Sequence, residues 1–160
     1  MEKGRNSYYG LASSDLCYAE ALLGTAKQIN DFNGVASISA QSAEKFMKSI
    51  IESKCINTES SILKSHNLRK LLMEIRAVYD KCPLSEKDYK WLGDFYFDAI
   101  YPGDDFIIVT EEQAIECLAL TNRLKDWIDL IEKKEEEKKQ KEDNDSKEIE
   151  DLDKLSSFNL

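Results

Sequence analysis

The chain has 160 residues, 42% of them apolar and 33% charged, with six Gly, two Pro and a net charge of −9. That is enough apolar material for one domain with its own core, and too little Gly and Pro punctuation for an all-β protein, so the prior moves to helices. No apolar run of about 18 residues is present to span a membrane, the N-terminus leads into no apolar signal core, and the expected compartment is the cytoplasm.

Ala12, Leu16, Ala19, Leu23 and Ala26 recur at alternating steps of four and three, which predicts one face of a long first helix. A break follows at Asn30-Asp31-Phe32-Asn33-Gly34, after which Ser37 or Ser39 offers an N-cap for a second helix with Ala43, Phe46, Met47, Ile50 and Ile51 inward. The connection from Cys55 to Ser65 is polar. Leu68, Leu71, Leu72, Ile75 and Val78 or Tyr79 define a third helix, Cys82-Pro83-Leu84 ends that segment, and Ser85 caps an aromatic-rich fourth running towards Tyr96. Tyr101-Pro102-Gly103-Asp104-Asp105 is a turn, with Tyr101 expected to pack on the core. Phe106-Ile107-Ile108-Val109 reads as a short extended piece. Thr110 and Gln113 have capping-box spacing ahead of a fifth helix marked by Ala114, Cys117, Leu118, Thr121, Leu124, Ile128 and Ile131. Amphipathic segments joined by short loops predict an all-α, four- to five-helix antiparallel up-and-down bundle over residues 7–132. Residues 133–160 form a charged tail, expected to be disordered or frayed-helical, in which Ile149, Leu152, Leu155 and Phe158 repeat every three residues.

Charge is unevenly spread. Between Lys45 and Arg76 seven Lys/Arg face three acids, whereas between Asp80 and Glu116 ten acids face three Lys. The second and third helices therefore offer the best anion-binding surface, although a solvated helix face accounts for such charges equally well. An isoelectric point near 4.8 argues against sequence-independent binding of duplex nucleic acid.

The four cysteines, Cys17, Cys55, Cys82 and Cys117, are scattered and have one histidine between them, so neither a zinc site nor a disulfide framework is expected, and the thiols read as small core residues. The dinucleotide and P-loop glycine patterns are absent. Paired acids such as Asp104-Asp105 and Glu111-Glu112 suit turn chemistry and the first turn of a helix. The single histidine, His66, stands where the third helix begins and where free amides favour anions. Arg69 lies one turn further on and is able to share a phosphate with it. Lys45 and Lys48 lie three apart on one face of the second helix.

Taken in order, Asp15-Leu16 with Ala19, Gln41-x-Ala43-Glu44-Lys45-x-x-Lys48, His66-Asn67-Leu68 with Leu71-Leu72, Tyr101-Pro102-Gly103 and Thr110-Glu111-Glu112-x-Ala114 resemble the HEPN family of small helical bundles. The resemblance implies a bundle that is commonly a homodimer, with nucleotide or RNA contact in its cleft and a nucleotidyltransferase-type partner. It makes His66, Asn67, Arg69, Lys45, Lys48 and Tyr101 the candidate nucleotide-binding or anion-binding residues, with no metal and no cofactor. Many members are metal-independent ribonucleases with an Arg-x(4–6)-His motif, but Arg5, Arg69, Arg76 and Arg123 all miss that spacing to His66. A second departure is Ile100, where an arginine often precedes the tyrosine. The expected activity is thus non-catalytic binding of a nucleotide or single-stranded RNA. A ribonuclease toxin of a toxin-antitoxin pair and a pure assembly module are the rivals.

Overall fold

The computed structural model describes residues 1–55 and 60–157. Residues 56–59 of the Cys55–Ser65 connection, the tail repeat at 149, 152, 155 and 158, and the side chain of Phe97 lie outside the described residues and side chains. The chain forms α1 (Tyr8–Ile29), α2 (Asn33–Lys54), a 3-10 turn (Ser60–Lys64), α3 (Leu68–Arg76), α4 (Glu86–Phe97) and α5 (Glu111–Ser157). Among the described residues there is no strand, and the fold is an all-α helical bundle. No described helix is long and apolar enough to cross a membrane.

Each helix begins for a local reason. The Ser7 hydroxyl accepts the Gly10 amide at 3.0 Å and donates to the Gly4 carbonyl at 2.7 Å, holding the N-terminal residues against α1. That approach is close enough that a Cβ at Gly10 would stand 2.1 Å from Gly4 O. At the other end Asn30 adopts a left-handed conformation (φ 55°), and its amide donates to Ala26 O. Ser85 and Asp88 form a reciprocal capping box on α4, and Thr110 and Gln113 form another on α5.

The second helix starts earlier than the serines suggest. Phe32 precedes it without a side-chain cap, and both Ser37 and Ser39 are inside it and buried. Ser39 instead donates to Val35 O at 2.7 Å, the back-bond that satisfies a hydroxyl in a helix interior. This helix is the centre of the unit Met1–Ile128: fourteen of its 22 residues are buried, against α1, α3 and α4 in particular. Its small residues Ala36, Ser39, Ala40, Ser42 and Ala43 let neighbours approach closely. Ser42 Oγ donates to Ala12 O at 2.7 Å, and Thr121 Oγ1 donates to Ser39 O at 3.1 Å. The inward face of Ala43, Phe46, Met47, Ile50 and Ile51 is fully covered, as are Leu68, Leu71, Leu72 and Ile75 of α3 and Ala114, Cys117, Leu118, Thr121, Leu124 and Ile128 of α5.

Two expectations fail on burial. Tyr101 is 64% exposed and does not pack into the core. Residues 106–109 lie between α4 and α5 with no other strand among the described residues to pair with. Cys17 is exposed, unlike buried Cys55 and Cys117 and half-buried Cys82, and all four thiols are free. The second compact unit, Asp129–Leu160, is highly charged, with i,i+4 ion pairs Lys133–Glu137 at 4.0 Å and Lys138–Glu142 at 3.7 Å.

Candidate functional site

The polar centre of the molecule is a buried acid on α2. Glu44 lies on the inner side of that helix with its side chain 5% exposed, next to Ala43 and Phe46. An unpaired carboxylate there would be costly. Its two oxygens are divided: Oε1 accepts from Lys48 Nζ at 2.7 Å, one helical turn on, and Oε2 stands 3.1 Å from His66 Nδ1. Lys48 is equally buried and also lies 6.0 Å from the ring centre of Tyr8. The Tyr96 hydroxyl completes the group, 3.1 Å from His66 Nδ1 and hydrogen-bonded to Glu44. Burial, and then the neighbouring Glu44 charge, push the Tyr96 phenol up to about 12. An ionised carboxylate can only accept, so we assign the proton of neutral His66 to Nδ1, which leaves Nε2 as an acceptor.

His66 itself stands just ahead of α3. Asn67 is the N-cap: its Oδ1 accepts the Lys70 amide at 3.1 Å, leaving the first two amides of the helix without an intrahelical acceptor. His66, Asn67, Leu68 and Arg69 form one wall of a groove of about 850 Å³, and Glu86, Lys87, Tyr89, Lys90, Gly93 and Asp94 of α4 form the other. Arg69 is 72% exposed, with Glu86 the nearest acid at 4.0 Å. At the floor, Tyr89 is buried with its hydroxyl 2.9 Å from Cys82 Sγ, and burial drives that phenol far above its ordinary value. Asp94 is also pushed up, first by burial, against the pull of Lys90.

The structure therefore brings His66, Asn67 and Arg69 to one groove and joins Lys48 to His66 through Glu44. Lys45 makes a separate ion pair with Asp15 of α1. Tyr101 is near enough to influence Tyr96 electrostatically but does not line the groove. Glu44, Tyr96, Lys87 and Lys90 were not singled out as site residues from the sequence. The one available signal was Glu44 at i,i+4 to Lys48 on a face of otherwise apolar residues. Of the aromatic group on α4, Tyr89 and Phe95 fill the core, and Trp91 packs edge-on against Phe95 at 4.8 Å. Among the described residues no cluster of His, Cys, Asp and Glu could hold a metal ion.

No curated protein and no solved structure matches the chain. The family model described as the HEPN domain matches residues 7–136, a span that carries the buried Glu44–Lys48 pair, His66 and both walls of the groove. The chain belongs to the HEPN domain family.

Proposed function

We propose that this HEPN domain binds an anionic nucleotide or a single-stranded RNA segment in the groove between the start of α3 and α4, without catalysing a reaction on it. The observation that carries the proposal is His66, held by a buried carboxylate at the mouth of a groove that also bears Arg69, Lys87 and Lys90. A volume of about 850 Å³ lies in the range of about 300–1,000 Å³ typical of small-ligand sites. The open amides of α3 favour a phosphate at the same end, and Arg69 has a guanidinium free to swing onto it, since its contact with Glu86 is long and exposed. Lys48 supports the site through Glu44, whereas Lys45 neutralises Asp15 and Tyr101 lies outside the groove lining. In this reading the domain works as a homodimer beside a nucleotidyltransferase-type protein, an extension that rests on family membership.

Calorimetric titration of the full chain with ATP, GTP and a short RNA tests the proposal. Saturable binding is expected, lost or at least about tenfold weaker in Arg69→Ala and His66→Ala. A folded protein that gives no heat with any of the three ligands sinks it. One observation favours a second reading: a carboxylate on His66 Nδ1 with Nε2 free is also the arrangement of a general base. RNA cleavage that disappears in His66→Ala would replace binding by hydrolysis.

A further inference from the structure

Between α4 and α5 the chain shows a different kind of order. Phe106 is 45% exposed, Ile107 is half-buried, Ile108 is 81% exposed, Val109 is 3% exposed and Thr110 is exposed. That period of two belongs to an extended chain. Its inward edge is already paired. Ile107 N–H donates to Asp98 O at 2.8 Å, Asn33 Nδ2 donates to Ile107 O at 2.7 Å, and Val109 N–H donates to Asn33 Oδ1 at 2.9 Å. A carboxamide that takes the carbonyl of one residue and the amide of the next but one makes the bonds a parallel neighbouring strand would make. Asn33 thus substitutes for a strand on the inner edge.

On the outer edge the Phe106 amide donates to Gly103 O at 3.2 Å and the Thr110 amide to Gln113 Oε1 at 2.9 Å, which leaves the middle of the edge open. Alternate residues of an extended chain point their backbone groups to opposite sides, so the N–H and C=O of Ile108 face outward. Neither group has a hydrogen-bond partner among the described residues. Exposed edges are normally blunted by Lys, Pro or a covering loop, whereas the outward side chains here are Phe106 and Ile108. Beside them lies a groove of about 420 Å³, with Phe32 and Ile100 among its lining residues. The surrounding charge is negative. Asp31 lines the groove, Asp104 and Asp105 immediately precede Phe106, and Lys27 at the end of α1 is engaged by Glu111 at 2.8 Å.

The geometry points to a docking site for an extended, basic peptide that pairs main chain to main chain with the N–H and C=O of Ile108, with apolar side chains in the groove and Lys or Arg between them. This goes beyond the nucleotide reading and involves none of its residues. Strand addition supplies the backbone bonds, and charge selects the occupant. A second copy of this chain would set Asp31, Asp104 and Asp105 against their own duplicates, while a basic peptide is drawn to them.

The test titrates an isotope-labelled full chain with a decapeptide of alternating lysine and valine, and with its glutamate–valine counterpart. The expected result is saturable binding of the basic peptide, with amide shifts centred on Ile108, and at least about tenfold weaker binding of the acidic one. Ile108→Pro removes an amide that makes no internal bond and an exposed side chain outside the core, so it should abolish binding while thermal unfolding stays in place, and Ile108→Ala, which keeps the amide, should retain part of the binding. The paired change Asp104→Lys with Asp105→Lys should shift preference towards the acidic peptide. The proposal is overturned by absent shifts at 106–110, by binding that Ile108→Pro leaves intact, or by equal binding of the two peptides. Concentration-dependent self-association through this edge would overturn it too, by giving the edge to a second copy.

Discussion

Glu44 and His66 are 22 residues apart in the chain and 3.1 Å apart in space. The carboxylate is buried, the imidazole is 56% exposed, and the contact between them links the interior of the bundle to its groove. Lys48 on the other carboxylate oxygen makes the arrangement a buried ion pair with a histidine attached.

Breaking that pair on one side leaves a charge without its partner in a site with little water. Glu44→Gln or Lys48→Met alone should lower unfolding stability by about 3–5 kcal/mol. Replacing both with apolar residues of similar volume should recover most of the loss. Urea unfolding of the two single variants and the double variant measures the coupling. Simple addition of the two losses would show that the pair does not act as a unit.

Tyr96 predicts a response to alkali. Its phenol is held near 12 in the folded protein against an ordinary 10.0, so the folded state keeps the proton more tightly than the unfolded chain does. The stabilisation is complete below pH about 10 and is lost as pH rises towards about 12. Tyrosinate absorbance should show Tyr96, with the more deeply buried Tyr89, titrating after the exposed tyrosines. Tyr96→Phe should remove one late proton. An unchanged late fraction in that variant would contradict the assignment.

Asp94 opposes an anion in the groove. Burial raises its carboxyl above the usual range, so acidification removes a negative charge from the α4 wall earlier than for an ordinary aspartate. Binding of ATP should strengthen as pH falls through that window. Asp94→Asn should bind about three- to tenfold more tightly at neutral pH and should flatten the part of the pH profile due to Asp94. His66 is present in both proteins, so the difference between their profiles isolates the carboxyl.

Asn67 separates capping from ligand contact. Asn67→Ala removes the acceptor of the Lys70 amide and should cost about 1 kcal/mol of stability. Asn67→Ser retains a cap and should restore most of it. If Asn67 also contacts the nucleotide, the serine variant will remain a weaker binder after its stability has returned, as titration beside thermal unfolding will show.

The parts of the molecule legible in the sequence are those governed by neighbours along the chain. The Ser85 cap, the capping box at Thr110–Gln113 and the apolar stripes of α2, α3 and α5 rest on spacings of three and four residues, which a helix turns into contacts wherever it lies. His66, Asn67 and Arg69 could be read as one site for the same reason: they share the start of one helix. The start of α2 is not legible in this way: Ser37 and Ser39 suit a cap in isolation, whereas packing buries them and sends the Ser39 hydroxyl back to Val35. Phe106–Val109 has the alternation of a strand, but the Ile107 carbonyl and the Val109 amide bond to a carboxamide more than seventy residues earlier.

By itself, then, the sequence determined that this chain is a helical bundle, where most of its helices begin, and which faces of α1, α2, α3 and α5 turn inward, because helix propensity, capping and periodicity are local. Only the tertiary structure decided that Glu44 is buried against Lys48, that His66 and Tyr96 close over it, that Lys45 is taken by Asp15, and that Tyr101 stays in solvent. Those outcomes depend on which helix faces meet. The free energy of a charge or a hydroxyl is set by the dielectric and the partners that such meetings create, and no spacing along one helix contains them.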